Sequence, residues 1–176
     1  MSSLKLDAML ELSISMNERN QIDLQEKGGV AMKTVRQLLE EKGHDVKIVS
    51  PEASLIDAMQ QMSANNIGAL LVMEDSKLVG ILTERDFSRK SYLLDKPLRD
   101  VRVNELMTRQ VAYVSPDYTN EDCMALVTEM RVRHLPVLED DRVIGLISIG
   151  DLVKDTISEH QFIIHQLERY IYSTPE

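Results

Sequence analysis

The sequence predicts a mixed α/β (α+β) fold built from two copies of one β-α-β-β-α unit, closed by a long C-terminal helix. Three observations carry that expectation. Gly80-Ile81-Leu82-Thr83-Glu84-Arg85-Asp86 recurs as Gly145-Leu146-Ile147-Ser148-Ile149-Gly150-Asp151, 65 residues on. Positions 46–90 align with 111–155 at that same offset without a gap, so Val49-Ser50-Pro51 meets Val114-Ser115-Pro116 and Leu70 and Val72 meet Leu135 and Val137. Apolar runs, turn residues and helix-capping hydroxyls keep register throughout, which marks an internal repeat.

The elements follow in order. Thr34 is placed to cap a helix over Val35–Lys42 that stops at Gly43. Val46–Val49 reads as a short strand turned by Ser50-Pro51. Ser54 is placed to cap a helix whose Leu55, Ala58, Met59 and Met62 share one face, ended by Asn65-Asn66. Gly68–Met73 and Leu78–Leu82 read as an antiparallel hairpin about Glu74-Asp75-Ser76, and Thr83 then caps a helix from Glu84. The second copy supplies a strand over Val111–Val114, a helix over Thr119–Met130 and strands over His134–Leu138 and Val143–Ile147. Asp140-Asp141 turns between those strands, and Ser148 precedes the last helix. In that helix Ile157, Ile164, Leu167 and Ile171 recur at helical spacing, an apolar face suited to a partner subunit, so a homodimer is expected. The expected division is an N-terminal extension over 1–31, repeats over 33–94 and 101–157, and a helical tail over 158–176. Leu10, Leu12, Ile14 and Met16 in the extension alternate as in a strand, but it lies outside the repeat and much of it is expected to be disordered.

Composition narrows the function. A net charge of −9 argues against nucleic acid or an anionic membrane as main partner, though not against a small anion in a local basic pocket. The one cysteine, Cys123, aligns with Ala58 on an apolar helix face and reads as core. With no apolar run of membrane-spanning length and no signal peptide, a cytoplasmic location is the expectation. No glycine-rich phosphate loop, nucleophile–base pair, carboxylate cluster for magnesium or histidine spacing for a metal is evident, so neither catalytic nor metal residues are expected.

The β-α-β-β-α order, the Ser-Pro after the first strand, the two Gly-x-x-Thr/Ser-x-x-Asp endings and the Arg133-His134-Leu135-Pro136-Val137 strand resemble the CBS domain. Two copies in register resemble a CBS pair, or Bateman module, of the small standalone type, over about Val35–Ile157. The resemblance implies two repeats packed about a pseudo-twofold axis, with two clefts that take adenosine-containing ligands. It further implies a sensor that regulates a partner protein rather than an enzyme. Each cleft would join the Ser/Thr-x-x-Asp of one copy to strands of the other. The first would hold Thr83, Arg85, Asp86, Val114, Ser115, Arg133 and His134. The second would hold Ser148, Asp151, Val49, Ser50, Gly68 and Ala69.

Chemistry supports such a reading. A carboxylate three residues after a hydroxyl lies one helical turn along, where it can accept from a ribose diol while the hydroxyl donates to a phosphate. The same residues also serve as N-cap and dipole partner, which explains them without any ligand. Arg133-His134 offers phosphate-binding and stacking groups and Gly68-Ala69 offers none, so the Thr83/Asp86 cleft is the expected main site. A phosphorylated ligand of the AMP, ATP or NAD class suits it better than the cationic S-adenosylmethionine. No obligatory cofactor is expected. The competing reading is a purely structural dimerisation module with empty clefts, and a third, less favoured, is an enzyme acting on a nucleotide.

Overall fold

The computed structural model describes residues 32–172. The strand reading at Leu10–Met16 and residues 173–176 of the tail lie outside the described residues. The helices are α1 (Val35–Lys42), α2 (Leu55–Asn65), α3 (Glu84–Lys90), α4 (Val103–Leu106), α5 (Asn120–Met130) and α6 (Ile149–Tyr172). The strands are β1 (Ile48–Val49), β2 (Ala69–Glu74), β3 (Lys77–Thr83), β4 (His134–Glu139) and β5 (Arg142–Ser148).

Local chemistry accounts for most boundaries. Thr34, Thr83 and Thr119 each accept the backbone N–H of the third helical residue, whose side chain bonds back to the cap N–H, closing capping boxes on α1, α3 and α5. Ser54 occupies the cap position of α2 without a side-chain cap bond; Val101 carbonyl instead accepts the Leu55 N–H at 3.0 Å. Both hairpins turn on two residues of positive φ, Asp75 and Ser76 in the first and Asp140 and Asp141 in the second, the geometry that matches strand twist.

The first sheet runs β1-β2-β3, with β1 parallel and β3 antiparallel to β2. The second contains β4 and β5 alone. The strand expected over Val111–Val114 is reduced to a single parallel bridge between Val114 and Val137. Val114 gives its N–H to Pro136 carbonyl at 3.0 Å and takes the Leu138 N–H at 2.9 Å, and Pro116 two residues on has no N–H with which to extend the ladder. The hairpins carry the same irregularity at equivalent places, between Val72 and Met73 and between Val137 and Leu138.

Strand alternation divides the core in two. Leu70, Val72 and Leu82 face α2 and the α4 segment, packing with Leu55, Ala58, Met62, Val101, Val103, Leu106 and Met107. Ala69, Leu71 and Ile81, on the opposite face, meet Val111, Val143 and Leu146 from the second half. The helices upstream of each repeat are exchanged between the halves. Val35 and Arg36 of α1 give their N–H groups to Tyr118 and Pro116, while Val103 and Asn104 of α4 give theirs to Ala53 and Pro51. Gly80 and Gly145 make that approach possible. A Cβ on Gly145 would lie 2.6 Å from both Leu39 methyls, and one on Gly80 would lie 2.7 Å from Met107 Sδ.

Candidate functional site

A cavity of about 350 Å³ opens where the end of β3 and the start of α3 meet the entry to β4. Its wall includes Thr83, Arg85, Asp86, Arg133 and His134, so those five residues of the expected main cleft lie together. Val114 and Ser115 are not among its lining residues; Gln110, Val111 and Ala112, a few residues upstream, are. Gly68, expected in the second cleft, also lines this one, and a Cβ there would lie 3.7 Å from the His134 ring.

Asp86 forms the most connected point of the cavity. Its Oδ2 accepts from Thr83 N–H at 3.0 Å and Thr83 Oγ1 at 2.6 Å. Its Oδ1 accepts from Lys90 Nζ and from Thr108 Oγ1, each at 2.8 Å. Burial pushes the carboxyl up, but the bonds from Lys90, Thr83 and Thr108 outweigh it and hold Asp86 below the usual carboxylate range. Four donors fill the acceptor capacity of a carboxylate. A further donor therefore reaches Asp86 only by displacing one of these four. Thr108 precedes the register of the 65-residue repeat, and so no alignment of the copies could flag it.

Five basic residues share the wall with one further carboxylate, Glu84. Arg85, Arg89, Arg131 and Arg133 line the cavity with Lys90, and among the described residues none of the four arginines is ion-paired. Desolvation first, then the neighbouring Arg133 and Arg89, hold the Arg85 guanidinium below its ordinary value. Arg85 is fixed by donating to Arg131 carbonyl at 2.7 Å. Arg131 itself closes α5 in the left-handed region, φ 54°, where its counterpart closing α2 is Asn66, φ 52°. Asparagine adopts that conformation readily, whereas arginine does so against steric preference. Backbone strain of this kind concentrates at functional sites.

His134 lies between the two halves of the candidate chemistry. It pairs in register with Ser148, and its imidazole is held below its ordinary pKa. Burial is the main cause, followed by Lys42, with Asp151 opposing and Arg133 and Arg85 adding to the depression. Among the residues expected in the second cleft, Ser148 donates to Asp151 Oδ2 through Oγ at 2.6 Å and N–H at 2.7 Å. Lys42 of α1 closes on the same carboxylate and donates to Leu146 carbonyl at 2.8 Å. Burial raises the Asp151 carboxyl, and Lys42 and Ser148 together bring it below its ordinary value. Val49 pairs with Val72 in the first sheet, Ala69 pairs with Thr83, and Ser50 accepts the Glu52 N–H. Cys123 is buried, and desolvation pushes its thiol up to about 12, as befits a core residue.

A family model described as the CBS domain matches residues 35–92 and again residues 103–157. The chain belongs to the CBS-domain family. It is 31% identical over 166 residues to the mitochondrial CBS domain-containing protein CBSX3 of Arabidopsis thaliana, covering 89% of this chain and 81% of that one. The crystal structure of the CBS domain NE2398 is 73% identical with a TM-score of 0.71, over 72% of this chain and 99% of that one. A candidate signal-transduction protein with CBS domains from Burkholderia ambifaria MC40-6 is 45% identical with a TM-score of 0.69, over 72% of this chain and 95% of that one. The CBS pair of MJ0100, solved with 5′-methylthioadenosine and S-adenosyl-L-methionine, shares the fold at 22% identity and a TM-score of 0.65, over 73% of this chain and 98% of that one. CBS pairs are regulatory and signal-transduction modules. No described helix is long and apolar enough to cross a membrane.

Proposed function

We propose that this CBS pair is a sensor that binds a phosphorylated adenosine nucleotide, of the AMP, ATP or NAD class, in the Asp86 cavity and relays occupancy to a partner protein. The observation that carries the reading is the convergence of Arg85, Arg89, Arg131 and Arg133, none of them ion-paired among the described residues, in a chain of net charge −9. Clustered cations gain most from an anion that neutralises several at once, and guanidinium groups match phosphate oxygens bidentately. The cavity volume falls at the small end of ligand sites. Ile81, Val111 and Ala112 offer an apolar wall for a base, and Asp86 offers the acceptor for a ribose. Displacing Lys90 from Asp86 frees a fifth cation for the phosphate. That MJ0100 was solved with 5′-methylthioadenosine and S-adenosyl-L-methionine supports the adenosine part of the ligand; the phosphate rests on the arginines alone.

The second cleft, with Ser148, Asp151, Val49, Ser50, Gly68 and Ala69, is proposed as a weaker subsite because that set holds no arginine for a phosphate, while its Asp151 is paired with Lys42 as Asp86 is with Lys90. Titration calorimetry with AMP, ADP, ATP, NAD and S-adenosylmethionine tests both assignments. One phosphorylated ligand is expected to bind, and Arg133→Ala to weaken it about 10- to 100-fold, the worth of one charge-assisted contact. Heat from none of the five would favour the structural module with empty clefts.

A further inference from the structure

Helix α6 runs for 24 residues, yet its buried residues are Leu152 and Asp155 alone, both near its start. Beyond them Val153, Ile157, His160, Ile164, Leu167 and Ile171 follow at intervals of four, three, four, three and four. That is an a/d heptad seam, five-sixths apolar, and its aliphatic members are 41–67% exposed. Ile163, at a flanking g position, widens the stripe.

We propose that this stripe is covered by the same helix of a second copy of the chain, running antiparallel. Pairing about Phe162 sets Val153 against Ile171, Ile157 against Leu167 and His160 against Ile164, each from opposite chains, so every a position meets a d position. The flanking charges select this orientation. Lys154 and Glu168 occupy e positions at the two ends of the seam, and the antiparallel arrangement brings each to the other on the partner chain, giving two cross-chain pairs. Interhelical e and g charges of this kind set orientation. Within its own chain Glu168 meets only the i−3 imidazole of His165, at 3.3 Å, and Lys154 has no carboxylate partner among the described residues. A parallel pair would instead set Thr156 by Gln161 and Ile163 by Glu168, with no ion pair, and stack the two His160 rings in one layer. The exposed Ile149, 39%, continues the stripe towards the domain, so among the described residues the seam is left open along its length.

Light scattering on the size-fractionated full chain tests the proposal. The wild type is expected at twice its 20.0 kDa mass, and Ile164→Glu/Leu167→Glu at the monomer mass. A wild-type monomer, or a double variant that remains dimeric, would overturn it. Charge reversal tests the orientation without touching the apolar seam. Lys154→Glu and Glu168→Lys are each expected to weaken the dimer about tenfold, from two pairs per assembly, and together to restore it. Oxidation separates the two orientations directly. Val153→Cys/Ile171→Cys is expected to form a covalent dimer and Ile171→Cys alone to stay reduced; a covalent dimer from Ile171→Cys alone would mean parallel helices.

Discussion

Asp86→Asn should destabilise the ligand-free protein at neutral pH, because the carboxylate is held by four internal donors before any ligand arrives. Both oxygens accept two bonds each, from Thr83 N–H and Oγ1 and from Lys90 and Thr108. The amide keeps one oxygen and loses the charge, so about two charge-assisted bonds go, at roughly 1.5–3 kcal/mol each. Lys90 is 39% exposed and recovers part of its loss through water, leaving about 3 kcal/mol. At roughly 2–4 °C per kcal/mol for a chain of this length, the midpoint should fall by about 6–12 °C. The effect must also depend on pH. The folded carboxyl lies below its ordinary value, so its contribution is fully present above the unfolded pKa of about 3.9 and is lost as acid protonates the native state. Thermal unfolding followed by circular dichroism should show a constant gap between wild type and variant from pH 7 to about 5, narrowing below about 4. A variant as stable as wild type at pH 7, or a gap unchanged at pH 3, would refute the view of Asp86 as an internally saturated anion.

Other consequences can be measured in the same way. His134 is neutral in the fold and has its pKa depressed by burial, so between the unfolded pKa of about 6.5 and the lower folded value the unfolded state takes up protons first. Wild-type stability should therefore decline from pH 7 to pH 5, and His134→Gln should flatten that slope; an unaltered slope would place its origin elsewhere. Gly145→Ala should cost about 1–3 kcal/mol by overpacking Leu39. Gly80→Ala should cost more, since its new Cβ also meets the rigid Thr108 carbonyl at 3.1 Å; equal midpoints in urea melts would contradict the close-approach argument. Asp155→Ala should lose about 2–3 kcal/mol, because the buried Asn120 amide and the Lys33 ammonium both donate to this carboxylate. Urea unfolding that shows no loss would mean those donors find other partners.

Elements whose signals are local were legible in the sequence. Thr34, Thr83 and Thr119 mark helix starts through side chains that bond only three residues away, and the paired turn residues at 75–76 and 140–141 require only their own backbone geometry. Copy-to-copy alignment likewise set Leu70 and Val72 level with Leu135 and Val137, and all four are fully buried. What escaped depends on packing between distant segments. The ladder beside β4 shrinks to Val114 because the preceding residues serve other surfaces, Val111 between the sheets and Ala112 in the cavity wall. The same redirection puts Gln110–Ala112 on the cavity where Val114 and Ser115 were expected. Thr108 reaches Asp86 only because α4 packs on the first half, and the Lys42–Asp151 pair exists only because α1 packs on the second. Neither relation is visible to a pattern that compares each repeat with the other in sequence order.

That exchange of α1 and α4 changes what counts as a unit of folding. Each half borrows its cover from chain that a cut at the linker would assign to the other half, as when Leu39 seals the sheet at Gly145 and Met107 seals it at Gly80. The contact between Leu39 and Gly145 must close over more than a hundred residues before the second sheet is roofed, and closures at such sequence separation slow folding. Neither repeat is then heritable alone. A lineage that loses one copy uncovers the other, and so the two can diverge in chemistry, as Arg131 and Arg133 have from Asn66 and Gly68, while remaining bound to a common fate.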